Sequence, residues 1–356
     1  MIDAETTSVR SDTGVYKKRI AYPDVLRIIA SFAVILIHVS SQHLADVEPG
    51  SYTWRVFMAV RDLSGFAVPV FVMISGSIFL DRDIPAGTMI TKYVFRIAVA
   101  FCFWSLIYSV LFMRSEGILT MAGYFIKGYS HMWFLYMIAG LYLITPFLRR
   151  IVVSEDLLKL FVILGLLFYA ILPGAVDILG GINYKVGEYL RSPLDDMNLT
   201  FCVGFVFYYV LGYYLRKNPL SGTTLKAAVA LGIICFVLSG ALYASDRMFA
   251  GIPVGEYFNS LEIVKIIKTV FVYESVHALA GGKETPKPVT ILAECSFGVY
   301  LSHQMFINLL KRIFGLDTLS FGPVVSILTV SLITLICAYG FTWIMRKIPP
   351  VRRYLM

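Results

Sequence analysis

Charge is what this sequence of 356 residues has least of: Asp, Glu, Lys and Arg together make up 15% of it, against about a quarter in a soluble domain. That deficit excludes an ordinary soluble fold. The five cysteines (Cys102, Cys202, Cys235, Cys295 and Cys337) all lie in apolar runs, with no C-x-x-C pair and no metal spacing. They read as small buried hydrophobes, and no metal site is expected. A P-loop, a G-x-S-x-G elbow, an H-E-x-x-H helix and a dinucleotide glycine fingerprint are all missing, which argues against the commonest nucleotide-hydrolysing, serine-hydrolase, zinc-hydrolase and dehydrogenase chemistries. The chain has no internal repeat, no low-complexity tract and no appended soluble domain. The first nineteen residues hold Asp3, Glu5 and Asp12 but no apolar core, so no cleavable leader is expected. Residues 1–19 read as a disordered cytoplasmic tail ending in Lys17, Lys18 and Arg19, ahead of a membrane domain spanning 20–356.

Apolar residues are abundant, at 58% of the chain with a mean hydropathy of +0.75. The runs recur from end to end and predict an all-α, polytopic membrane helix bundle of about ten transmembrane helices. Their approximate ranges are 24–43, 55–80, 91–112, 132–148, 157–173, 199–215, 225–244, 257–280, 289–311 and 322–346. Basic residues decide the orientation. One alternate set of flanks carries Lys17, Lys18, Arg19, Arg82, Lys92, Arg96, Arg149, Arg150, Lys159, Arg216, Lys217, Lys226, Lys283, Lys287, Arg346, Lys347, Arg352 and Arg353. The other is poorer, with Arg55, Arg114, Lys127, Lys185, Arg191, Arg247, Lys311 and Arg312. Both termini are therefore expected in the cytoplasm. The net charge of +8 belongs to this topology and to lipid headgroups, and no nucleic-acid partner is implied. Residues 174–198 form the longest outer connection, expected as a lid, a short re-entrant segment or a plain polar loop.

The first run, Y-P-D-V-L-R-I-I-A-S-F-A-V-I-L-I-H, carries Arg27 and His38 into apolar surroundings. Eleven residues return a helix to within about 20° of its starting face, so both side chains share one stripe, roughly 16 Å apart along the axis. Ionisable groups inside a membrane are costly and mark candidate functional sites. Arg27 is a candidate anion clamp or a snorkelling cation, with Asp24 placed to orient it. His38 is a candidate general base or an interhelical structural histidine. Lys92 and Arg96, four apart, and Arg149 with Arg150 are cations that extend the clamp or simply mark the inner face. The second run places Pro69, Ser75, Gly76 and Ser77 where helices approach closely, and Arg61 and Asp62 in its outer half. The fourth opens H-M-W-F-L-Y, from His131 to Tyr136, an aromatic-belt pattern in which Trp133 and Tyr136 anchor at the interface or border the site. In the eighth, Glu274 and His277 are expected to satisfy each other. In the ninth, His303 is a second intramembrane histidine available to the site. An inner anion clamp with a deeper base suits a long donor with a charged head and a reactive tip. An acyl-CoA thioester, a phospholipid and a prenyl phosphate all have that form.

Four segments together carry a resemblance: Y-P-D-V-L-R-I-I-A with its Arg-x10-His spacing, V-P-V-F-V-M-I-S-G, M-W-F-L-Y-M-I-A-G-L-Y-L-I-T-P and S-F-G-V-Y-L-S-H. In this order, from Tyr22 to about Arg346, the chain resembles integral-membrane acyltransferase family 3, bacterial inner-membrane enzymes that O-acylate cell-surface glycans. It is similar to the stand-alone glycan O-acetyltransferase form, typified by the enterobacterial common antigen enzyme. The resemblance implies transfer of an acetyl group from cytoplasmic acetyl-CoA, a donor substrate and not a bound cofactor, to a hydroxyl of a glycan or lipid-linked sugar on the outer side. It implies roles for Arg27 in donor binding and catalysis and for His38 in catalysis. The family's Arg-x-x-Arg at the third helix is met here by Arg96 and, in the first position, Tyr93, with Lys92 beside it. Ser75, Trp133, Tyr136, Asp24 and His303 are expected to support the site. A transporter or flippase for a lipid-linked saccharide is the main alternative, although no duplicated halves are visible. A non-enzymatic scaffold is another. Oligomeric state is not readable.

Overall fold

A computed structural model describes residues 19–112, 117–245 and 247–356; the expected tail up to Lys18, and Arg114 among the outer charges, lie outside the described residues. Helix α1 (Ala21–Ser40) is followed by α2 (Tyr52–Leu63) and α3 (Ala67–Phe79). A short α4 (Ala86–Thr88) runs through a π-helical turn (Met89–Val94) into α5 (Phe95–Phe112). Then come α6 (Ile118–Lys127), α7 (Trp133–Val152), and α8 (Glu155–Gly165), which passes through a second π-helical turn (Leu166–Ile171) into α9 (Leu172–Ile182). The remainder is α10 (Tyr184–Asp196), α11 (Gly204–Lys217), α12 (Gly222–Tyr243), α13 (Val254–Ser260), α14 (Glu262–Ala280), α15 (Lys287–Phe314), α16 (Pro323–Met345) and α17 (Pro349–Tyr354). The only paired strands among the described residues, β1 (Met248–Phe249) and β2 (Ile252–Pro253), form a small antiparallel hairpin.

Each of the ten expected segments lies largely within helix. Seven helical stretches among the described residues are long and apolar enough to cross a membrane. The other three fall short for different reasons: α11 has only 14 residues, α14 carries Glu262, Lys265, Lys268 and Glu274 along its length, and α15 is diluted by uncharged polar residues such as Ser296, Ser302, His303, Gln304 and Asn308. These three are nonetheless central. Along α11 an unbroken run from Phe207 to Tyr213 is buried, and α15 is buried continuously from Cys295 to His303. Peripheral α12 buries one narrow stripe, Gly232, Cys235, Ser239 and Tyr243, at helical spacing. Polar residues are tolerated in the inner helices because protein, not lipid, surrounds them.

The tightest seam joins α3 to α11. A Cβ at Gly76 would fall 1.8 Å from the Tyr209 carbonyl oxygen, and one at Gly212 would fall 2.1 Å from that of Met73. The two backbones are in contact, which only glycine allows. A second link fixes α1 against α15. Ile20 bridges Glu284, Ala21 N–H donates to Lys283 O at 3.0 Å, and Thr285 N–H donates to Arg19 O at 3.0 Å.

Three sequence expectations change. The second span is broken: turns at Ser64 and Gly65 separate α2 from α3. Pro69 therefore sits in the first turn of α3, where helical N–H groups have no intrahelical acceptor anyway. At this break Asp62 faces protein: its carbonyl accepts from Lys268 Nζ at 2.9 Å and its carboxylate from the Tyr243 hydroxyl and Arg61. Lys268 also donates to Asn259 Oδ1 at 2.9 Å and Ser239 Oγ at 3.3 Å. The outer connection 174–198 is mostly helical, α9 and α10 folding back at Asn183 so that a Cβ on Gly187 would lie 2.5 Å from Gly180 Cα. Finally, Glu274 and His277 do not pair. Glu274 Oε2 accepts from Leu220 N–H at 2.9 Å, while the His277 ring stands edge-on to Tyr22 with centroids 4.5 Å apart.

Candidate active site

Helix α1 sets the site because Arg27 and His38 both face inward. At its start Asp24 is a first-turn acid, favoured by the helix dipole. Arg27 Nη1 donates to Asp24 Oδ1 at 3.0 Å. The same carboxylate takes Arg19 Nε at 2.6 Å and Nη2 at 2.9 Å. Arg19 then reaches Glu294 Oε1 at 2.8 Å, and Arg346 reaches Glu294 Oε2 at 2.8 Å. Three arginines on two carboxylates leave one net positive charge, and Arg27 is the deep end of the chain.

Arg27 opens onto a small internal cavity of about 20 Å³, shared with Ser75, Tyr142, Phe71, Phe134 and Phe297. That is room for one water. The Ser75 hydroxyl already donates to Phe71 O at 3.0 Å, so its remaining hydrogen-bonding capacity is as an acceptor. Arg27 and Ser75 thus share one cavity, and His38 does not line it.

His38 lies across an aromatic layer from this cavity. Phe134 and Phe297, both on the cavity wall, stand 5.2 and 6.5 Å from Tyr300 between centroids. Tyr300 in turn touches His131 at 5.4 Å and His303 at 6.1 Å. Three imidazoles gather there. The His38 ring is 5.0 Å from His303 and 6.1 Å from His131, and His131 is 4.9 Å from His303. His303 Nδ1 lies 2.6 Å from Tyr300 O and 3.2 Å from Val299 O. A carbonyl only accepts, so Nδ1 carries the proton. In the neutral ring Nε2 then offers a lone pair, and no group among the described residues occupies it. A neutral imidazole in this cluster can accept a hydroxyl proton, and His38 is the member that shares a helix with Arg27. No group of three or more His, Cys, Asp and Glu among the described residues is arranged to hold a metal ion.

The other cations are not gathered around Arg27. Lys92 and Arg96 line a surface cleft of about 400 Å³ with Arg353 and Tyr354. Lys92 lies 5.5 Å over the Tyr93 ring and Arg96 Nη2 donates to Met356 O at 2.6 Å. Arg149 and Arg150 line a larger cleft of about 680 Å³ with Arg82, Lys217, Asp81 and Asp83. Arg149 is engaged: Nε and Nη2 donate to Phe79 O at 3.1 and 3.0 Å, and Nη1 to Ile84 O at 2.5 Å. It caps the last carbonyl of α3 and ties down the loop at Ile84, a structural use of a helix-end cation. Trp133 and Tyr136 turn outward, 44% and 53% exposed, packed against Phe205 and Phe101. Neither lines the Arg27 cavity.

His131 is the residue the sequence reading did not single out. It lies in the turn before α7, so helical periodicity does not tell which way it faces, and its neighbours gave it the look of an aromatic belt. Tyr108 was missed as well. Its hydroxyl donates to Leu301 O at 2.7 Å and accepts Met305 N–H at 3.1 Å, which holds α5 to α15 beside the histidines.

No curated protein and no solved structure matches the chain significantly. The family model described as an acyltransferase domain matches residues 20–343, which takes in Arg27, His38, His131 and His303. The protein is therefore a multi-pass membrane acyltransferase, a member of the acyltransferase 3 family.

Proposed function

We propose that the protein is an O-acyltransferase of a bacterial inner membrane. It takes an acyl group, acetyl in the simplest case, from a cytoplasmic acyl-CoA and delivers it to a hydroxyl of a cell-surface or lipid-linked glycan on the outer side. The observation that carries this reading is the pairing along α1 of an under-compensated buried arginine on a cavity with a histidine cluster one aromatic layer further out. Arg27 holds a phosphate of the donor. The pantetheine arm passes the layer formed by Phe134, Phe297 and Tyr300 and brings the thioester to the histidines. Because the cavity has room for only about one water, these aromatic side chains must swing aside when the donor enters. His38 takes the proton of the acceptor hydroxyl or carries the acyl group transiently as a nucleophile. The surface clefts at Lys92 with Arg96 and at Arg149 with Arg150 are the cationic surfaces available to the nucleotide end.

The test uses the full chain in nanodiscs with carbonyl-labelled acetyl-CoA and candidate glycans. The expected result is acyl-CoA-dependent thermal stabilisation and label transfer that needs a hydroxyl acceptor. Movement of a lipid-linked sugar between leaflets with no response to acyl-CoA would instead establish the transporter alternative.

A further inference from the structure

His131 is a buried side chain that the chemistry above does not use. It is 1% exposed, and among the described residues neither ring nitrogen completes a hydrogen bond. The contrast with His303 is direct: that ring is anchored through Nδ1 to two main-chain carbonyls. Leu301 O, which accepts the Tyr108 hydroxyl at 2.7 Å, also lies beside the His131 ring and has a second lone pair, but no ring nitrogen meets it in hydrogen-bonding geometry. The residue itself is held firmly, since its own carbonyl takes the Tyr300 hydroxyl at 2.5 Å and its ring is boxed by Tyr108, Tyr129, Tyr300, His38 and His303. A phenyl ring would fill such an aromatic box without burying two polar atoms. A neutral imidazole, by contrast, must present one N–H donor and one lone pair. Buried polar groups are ordinarily paired, so an orphaned one calls for a partner that arrives.

Resting on the acyl-transfer reading, we infer that His131 is a further catalytic residue: its ring N–H receives the acyl carbonyl oxygen of the thioester and holds the negative charge that grows there. The division of labour follows from the three rings. Neutral His303 offers only a lone pair at Nε2, so it cannot donate to an oxyanion. His38 is occupied with the acceptor proton. His131 is the member with a free N–H. In the step itself the acceptor oxygen attacks the carbonyl carbon and its proton passes to His38. The C–O bond forms, the tetrahedral oxygen is held by His131, and the C–S bond breaks with its electron pair on sulfur. The thiolate then recovers the proton from the His38 imidazolium. His131 ends as it began.

The test compares His131→Phe, which fills the box without a donor, with His131→Gln, which restores an N–H. Both are read in nanodiscs with [carbonyl-13C]acetyl-CoA, first by infrared in the absence of acceptor and then by turnover. In the unaltered protein and in His131→Gln the bound carbonyl band moves to lower frequency; in His131→Phe it stays at its free position. Removing an oxyanion donor typically costs about 10²- to 10³-fold in kcat. That loss is expected in His131→Phe with KM for acetyl-CoA near its original value, and partial recovery in His131→Gln. If His131→Phe does not fold by thermal melting, His131→Leu serves as the donor-free variant. A shifted carbonyl band in a folded donor-free variant overturns the inference, whether turnover falls or not. Unchanged turnover in that variant overturns it too, and would leave His131 holding a water only. If the unaltered protein binds acetyl-CoA but transfers nothing, the functional reading fails as well, and separately from the carbonyl test.

Discussion

Two buried cations, Lys268 and Arg27, show how differently one protein can use the same expensive group. Both are nearly inaccessible, at 1% and 5% exposed. An ammonium has three N–H donors, and Lys268 places them on Asp62 O, Asn259 Oδ1 and Ser239 Oγ. Its capacity is used up in joining α14, α13 and α12 to the broken end of α2. A guanidinium has five N–H donors, and among the described residues Arg27 commits one of them, to Asp24. The side chain also lines the internal cavity. A cation whose donors are all taken is a staple, whereas one with donors to spare is equipped to bind an anion. The carboxylates agree: Asp24 is shared with Arg19, while Asp62 serves its own neighbourhood.

The comparison can be broken in several places. The largest expected effect is on the open side, just beyond Arg27's cavity. His38→Ala should lower kcat by roughly 10²- to 10⁴-fold, the usual contribution of a general base, and near-normal transfer in labelled-acetyl assays would remove His38 from the chemistry. Next, Arg27→Leu should raise KM for acetyl-CoA roughly 10- to 100-fold, the worth of a hydrogen bond to a charged group. Its melting temperature should change little, because Asp24 keeps Arg19. Lys268→Met should behave in the opposite sense. It strands buried acceptors and should cost about 1–3 kcal/mol of stability, measured by denaturant in micelles, with KM for acetyl-CoA unchanged. If Arg27→Leu unfolds the protein while Lys268→Met weakens donor binding, the two roles are exchanged and the argument from spare donors fails.

The smallest effect concerns a polar set outside the spans. His43, past the end of α1, sits between Asp46 at 2.7 Å and Asp317 at 3.0 Å, with Lys311 Nζ at 3.1 Å. Burial works to raise the Asp317 carboxyl, but the Leu319 N–H, His43 and the Ser320 hydroxyl together hold it below its ordinary value. A lowered carboxyl stabilises the folded state fully above about pH 4, its unfolded range, and progressively less as pH falls through the lowered native value. Hydrogen exchange at residues 315–320, corrected for intrinsic rate, should therefore be faster at pH 3 than at pH 5. Equal protection would show that these contacts add nothing to the C-terminal end of α1.

What was legible in the sequence follows from periodicity. The apolar runs located the helices, and the eleven-residue spacing put Arg27 and His38 on the inward stripe of α1. Periodicity has no purchase on a residue in a turn, which is why His131 was passed over between Ser130 and Trp133. It also cannot weigh competing partners. Charge pattern sets Lys92, Arg96 and Arg149 on the same flank as Arg27, where they could extend its clamp, yet Arg96 turns to Met356 and Arg149 to the end of α3. Glu274 and His277 have helical spacing, but a loop N–H and a tyrosine ring offered each a better fit. The Ser-Gly at 64–65 was the available sign that the second span breaks; a long apolar run concealed it.

The clasp between residues 19–21 and 283–285 acts as the zero mark of a ruler. From it α1 and α15 climb side by side, α1 starting within the clasp at Ala21 and α15 two residues past it at Lys287. His38 lies 17 residues beyond the first residue of α1 and His303 16 beyond the first residue of α15, so at about 1.5 Å per residue each ring stands roughly 25 and 24 Å along its own helix. The meeting of the histidines is thus a matter of counting. One residue inserted early in either helix would lift its imidazole by about 1.5 Å and turn it by about 100°, leaving every side chain present and the pair out of register.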